Sequence, residues 1–178
     1  MRYGKPIDLA KPAGSESGGI AYSFTKAMNP AKKESAYLHL PTYTAGLLYH
    51  MGTFLSFILL IFSFFKILPV GIFQLLISAF LILTVLSGLF ILIKRFTVLK
   101  LRILSNPDDY ISNILVTAFQ GVTALYLIIG QPVGYLYYIT TAALLLYLPV
   151  GKLKHLIYFF AARYHLGIFF GRRGVWPG

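Results

Sequence analysis

The chain has 178 residues, 57% of them hydrophobic and only 12% charged. A water-soluble globular domain carries about 25% charged residues, so that class is excluded. The formal net charge is +11 and there is no cysteine, so the chain can hold neither a disulfide framework nor, by itself, an iron–sulfur cluster.

In chain order, residues 1–35 are rich in Gly, Pro, Ser and Lys. Alone, such a segment is expected to be disordered, with Tyr22, Phe24 and Met28 available to order against a partner. Its basic start has no apolar run behind it, so no cleaved signal peptide is expected. Three stretches then lack Asp, Glu, Lys and Arg altogether: 35–65, 67–93 and 110–151. A membrane-spanning helix needs about 20 apolar residues. The first two stretches hold one span each. The third holds two, broken by Gly130-Gln131-Pro132-Val133-Gly134, a run of turn residues in which Pro132 cannot donate to a helix ladder. The expected fold is an all-α integral membrane protein, a bundle of four transmembrane helices at 46–65, 70–93, 111–130 and 134–155. Residues 1–45 then form a cytoplasmic N-terminal extension, 46–155 the membrane domain and 156–178 a cytoplasmic tail.

Lys66-Ile67-Leu68-Pro69 closes the first hairpin. The longest internal loop runs from Lys94 to Tyr110 and ends in Ser105-Asn106-Pro107-Asp108-Asp109. That is a helix start: Ser or Asn caps, Pro occupies the first turn and two acids face the positive end of the helix dipole. Span four is expected to run on through Lys152-Leu153-Lys154-His155 with a kink at Pro149, and Gly171-Arg172-Arg173-Gly174 to end helical structure. Fifteen of the sixteen basic residues lie before span one, between spans two and three, or after span four; only Lys66 lies on the other side. This is the positive-inside pattern, and it predicts both termini in the cytoplasm. Topology accounts for the basic residues, and no nucleic-acid partner is expected.

The chemistry-bearing side chains are His50 and His155, on the first and last spans. At 1.5 Å per residue, His50 lies about 24 Å from the outer end of its helix and His155 about 32 Å from the outer end of its own. Both belong to the inner leaflet, and a tilt of about 20° with a kink at Pro149 absorbs the offset. An ionisable side chain at membrane depth is costly and points to function. Two imidazoles with no carboxylate nearby suit axial ligation of a haem iron. Each has a glycine one turn earlier, Gly46 and Gly151. Positions i and i+4 share a helix face, so a porphyrin would find bare backbone beside each ring. His39 and His165 read as ordinary interfacial residues. Lys152, Lys154, Arg95 and Arg102 are topology determinants that can also meet haem propionates. Gln120 lies near mid-membrane, as a helix–helix tie or a partner for a quinone carbonyl. No carboxylate lies within a span, which leaves a proton relay without residues. Tyr135, Tyr137 and Tyr138 form an outer aromatic belt.

The segments SNPDDYISN at 105–113, PVGKLKH at 149–155, RYHLGIFFGRRGVWP at 163–177 and LLYHMG at 47–52 resemble the gamma-subunit family of respiratory nitrate reductase. The nearest likeness is to members linked to sulfite reductase, heterodisulfide reductase or hydrogenase. The resemblance implies a membrane cytochrome b of a prokaryotic cytoplasmic membrane, exchanging electrons between quinone and a cytoplasmic iron–sulfur subunit. His50 and His155 match the ligands of the haem nearest that subunit. The family's extra N-terminal span is missing here, and where it has outer-haem histidines this chain offers Leu60 and Tyr137.

The expectation is therefore an electron-transfer subunit, not catalytic alone, with one haem b. Its partners are menaquinone or ubiquinone, membrane lipid and a separate iron–sulfur polypeptide. The quinone is expected in the inner half or on another chain. The alternative is a haem-free membrane anchor of the same complex.

Overall fold

A computed structural model describes residues 11–29 and 39–176. Among these residues the secondary structure is helical throughout, with no strand. Seven α-helices follow in order: α1 Glu16–Phe24, α2 Leu40–Phe64, α3 Ile72–Thr97, α4 Leu99–Leu104, α5 Pro107–Ile129, α6 Gly134–Tyr147 and α7 His155–Arg172. Three of them, α2, α3 and α5, are long and apolar enough to cross a membrane, or up to four spans exist if α6 and the helix after it make one broken span. The described residues divide into two compact units, 39–154 and the pair of segments 11–29 with 155–176.

In the 39–154 unit, α2 starts at Leu40 with Pro41 in its first turn, where a missing N–H costs no hydrogen bond. α3 ends with Lys94 and Arg95 in its last turn, cations set against the negative end of its dipole. α5 is the hub, packing on α2, α3 and α6. It starts as the sequence predicts, and the cap is Asn106, whose side chain accepts from the Asp109 N–H at 3.1 Å while Asp109 Oδ2 accepts from the Asn106 N–H at 2.9 Å. Gly130, at φ +79°, ends α5 in a conformation strained for any residue with a Cβ.

The core combines apolar and polar side chains. Phe119, Tyr137 and Leu144 are fully buried in one cluster with Leu60 and Tyr126, and the Tyr126 and Tyr137 rings stack at 4.6 Å. Tyr137 thus departs from the expected aromatic belt. It lies on the α6 face that carries Thr141 and Leu144 inward, whereas Tyr135 and Tyr138 are exposed. Gln120 is fully buried and donates both amide hydrogens to α2, at 3.0 Å to the Tyr49 carbonyl and 2.8 Å to the Thr53 hydroxyl. It is the helix tie, with no N–H left for a quinone carbonyl.

The fourth apolar segment differs most from expectation. α6 stops at Tyr147, eight residues short of His155, and a turn and the 3₁₀ segment Lys152–Lys154 follow. Pro149 cannot donate to the ladder. The Lys152 N–H is taken instead by Asp108 Oδ2 at 2.7 Å, an acceptor 44 residues earlier in the chain.

In the second unit, α1 is capped by Ser15, whose hydroxyl accepts from the Gly18 N–H at 3.1 Å. It runs antiparallel to α7, so the partner that orders Tyr22 and Phe24 is the chain's own C-terminal segment. Tyr22 meets Trp176 at 5.4 Å and Phe24 meets Phe160 at 6.3 Å between ring centroids.

Candidate functional site

His50 lies on α2 with its side chain exposed. Its Nδ1 stands 2.6 Å from the Gly46 carbonyl oxygen. A carbonyl only accepts, so Nδ1 is the donor in this contact. A backbone carbonyl on one ring nitrogen is the arrangement that orients a metal-ligating histidine. A Cβ built on Gly46 would meet nothing within 4 Å, so the helix flank one turn before His50 is open. The neighbouring Tyr49 points the other way. Its hydroxyl donates to the Asn113 carbonyl at 2.9 Å and lies 3.0 Å from the Thr117 hydroxyl, which fixes this stretch of α2 against α5.

His155 opens α7 in the other unit and is also exposed. The glycine that precedes it by four, Gly151, is not on the same helix. It is buried in the turn after α6, and a Cβ there would run into the Tyr147 ring and come within 2.8 Å of Asp108 Oδ1. The space beside Gly151 is filled by this chain's own side chains. Its glycine serves that packing rather than leaving room for a porphyrin. His39 occupies the N-cap position of α2 and His165 is exposed on α7.

What sequence reasoning missed is the purpose of the paired acids. Asp108 accepts from the Tyr147 hydroxyl, the Lys152 N–H and, at 3.1 Å, the Ser112 hydroxyl. Asp109, nearly buried, bridges Arg95 at 3.1 Å and Lys152 at 2.5 Å. Two adjacent carboxylates thus pin the end of α3, the start of α5 and the turn after α6 to one another. Two of the four cations considered for propionates, Arg95 and Lys152, are engaged here, and Lys94 donates to Thr42. The only sequence signal was the juxtaposition of two acids in a chain that has five.

Two open grooves run along the 39–154 unit. One of about 520 Å³ lies between α3 and α5, walled by aliphatic residues such as Leu86, Leu89 and Leu125. The other, about 580 Å³, lies between the first turns of α2 and the later turns of α3, with Leu40, Thr44, Leu83 and Ser87 on its walls. Both are within the usual size range of small-molecule sites. No family model, curated protein or solved structure matches this chain.

Proposed function

We propose that the chain is the membrane-anchoring b-type cytochrome subunit of a respiratory oxidoreductase, of the nitrate reductase gamma-subunit-like family. In this reading it serves electron exchange between the quinone pool and a cytoplasmic iron–sulfur subunit, with both termini on the cytoplasmic side of a prokaryotic membrane. The observation that carries the reading is the orientation of His50, whose Nδ1 meets the Gly46 carbonyl at 2.6 Å beside an open stretch of helix. Two neutral imidazoles with no thiolate or carboxylate in the set suit haem iron. His50 and His155 would hold one haem b, which supplies a one-electron carrier when bound. The chain's own part is to orient the His50 ring through Gly46 and to hold α2 in register through Tyr49 and Gln120. The quinone, menaquinone or ubiquinone, is assigned to the inner half. The groove between the first turns of α2 and the later turns of α3 supports that placement, because its apolar walls carry Thr44 and Ser87 as polar contacts.

A dithionite-reduced spectrum of the purified chain tests this. A b-type α band at one haem per chain is expected, lost in His50→Ala and in His155→Ala and retained in His39→Ala and His165→Ala. The haem-free anchor is the second reading, favoured by the filled space beside Gly151 and by the pairing of Arg95 and Lys152 with Asp109. A blank spectrum from protein purified together with its partner subunits establishes the anchor and removes the cytochrome.

A further inference from the structure

The α1–α7 pair is packed inside out relative to a water-soluble helix pair. The residues buried in its two helices are Gly19 and Ser23 on α1 and Gly167 and Gly171 on α7. A Cβ on Gly167 would stand 2.6 Å from the Ile20 Cα, and one on Gly171 would stand 2.8 Å from the Gly19 Cα, so the two backbones are in contact. The Ser23 hydroxyl adds a bond to the Arg163 carbonyl at 2.9 Å. Neither helix buries a large apolar side chain. Ile157, Tyr158, Leu166 and Phe169 face outward, with Ile157 62% exposed and Tyr158 63%.

In water a helix pair forms by hiding its apolar stripe. In an apolar solvent nothing is gained by that, and helices associate through small residues and backbone contact, with serine hydroxyls as glue. The seam Ser15-Gly19-Ser23 against Gly167 and Gly171 is of the second kind. The exposed apolar residues of α7 also sit at steps that take them round most of the helix. Charge adds the headgroup. The described residues of this unit carry Lys11, Lys26, Arg163, Arg172 and Arg173 against the single acid Glu16. Two of those arginines lie along aromatic rings, Arg173 at 3.6 Å from the Phe169 centroid and Arg163 at 5.6 Å from that of Phe159. Cationic heads beside apolar rings are what a membrane interface accommodates.

We infer that the α1–α7 pair is an interfacial membrane element, its aromatic and aliphatic side chains in the acyl boundary and its arginines among anionic lipid headgroups. The inference does not depend on the haem reading. The full chain carries a built-in probe, because Trp176 is its one tryptophan and packs on Phe170 at 5.0 Å in this unit. In nanodiscs of mixed phosphatidylcholine and phosphatidylglycerol, lipids brominated near the glycerol end of their chains should quench Trp176, and aqueous acrylamide should not. The absence of cysteine makes Ile157→Cys a clean second probe, and its labelling by a water-soluble thiol reagent should be slow. Neutralising Arg173 to glutamine should speed that labelling about fivefold, following the attraction of one cation to an anionic surface. Arg172 is paired with Glu16 at 3.4 Å, and its neutralisation should do less. Acrylamide quenching with no effect of brominated lipid overturns the proposal. So does equal protection in pure phosphatidylcholine, or protection that appears only when soluble partner subunits are added.

Discussion

In the 39–154 unit, side chains keep the helices apart and fill the space between them. Phe119, Tyr137 and Leu144 interdigitate, Gln120 reaches from α5 to α2, and Asp108 and Asp109 tie three chain segments at one end. In the α1–α7 pair the backbones themselves touch, and the bulky side chains are outside. In the first kind a lost side-chain atom costs its transfer term plus whatever cavity the neighbours cannot close. The second has no slack, since backbone cannot retreat without separating the helices. The same chain therefore has one region whose stability is spread over many contacts and another that depends on a few missing side chains.

The largest effect should come from Gly171→Leu. Its side chain would occupy the place of the Gly19 backbone, and overpacking of this kind costs about 3 kcal/mol or more. Trp176 emission in detergent should shift to that of a separated pair, while the tyrosine near-ultraviolet dichroism of the 39–154 unit stays unchanged. A parallel loss of both signals would show that the contrast between the units is false. Next comes Asp109→Ala, which keeps the Asn106 cap but removes the acceptor for the Asn106 N–H, Arg95 and Lys152. Loss of those charge-assisted bonds costs about 2–3 kcal/mol. The tyrosine signal should melt earlier and the Trp176 signal should hold. Gly46→Ala should do least. Nothing stands near its Cβ, so thermal unfolding should show no loss, and a gain of at most about 1 kcal/mol from replacing glycine inside a helix. A loss would mean that the flank beside His50 is not open.

Hydropathy alone placed α2, α3 and α5, because a charge-free run of 20 or more residues has few other uses. The expected 46–65, 70–93 and 111–130 became Leu40–Phe64, Ile72–Thr97 and Pro107–Ile129, the differences lying in end turns where interfacial residues continue the helix. The α5 cap was legible as well, since Asn-Pro-Asp-Asp acts through its own backbone. The stop at Tyr147 falls two residues before Pro149, where a kink was expected. The turn that follows was not legible, because Asp108 takes the Lys152 N–H there, a contact across 44 residues that no periodicity encodes. α1 was equally hidden, because glycine and serine score as loop and only the close approach of α7 makes them a helix seam. Of the candidate site residues, the sequence singled out His50 and His155 together and offered Gly46 as room for a porphyrin. That the Gly46 carbonyl meets His50 Nδ1 was not anticipated. The filled space at Gly151 needed Tyr147 and Asp108 in three dimensions.

The position of α5 as hub has a consequence for how the molecule is made. Synthesis delivers α2 and α3 before it, and within α2 the Thr53 hydroxyl already donates to the Tyr49 carbonyl at 2.8 Å. The group that must find its partners on arrival is the Gln120 amide itself, so the seating of the third apolar helix is specified by a polar side chain.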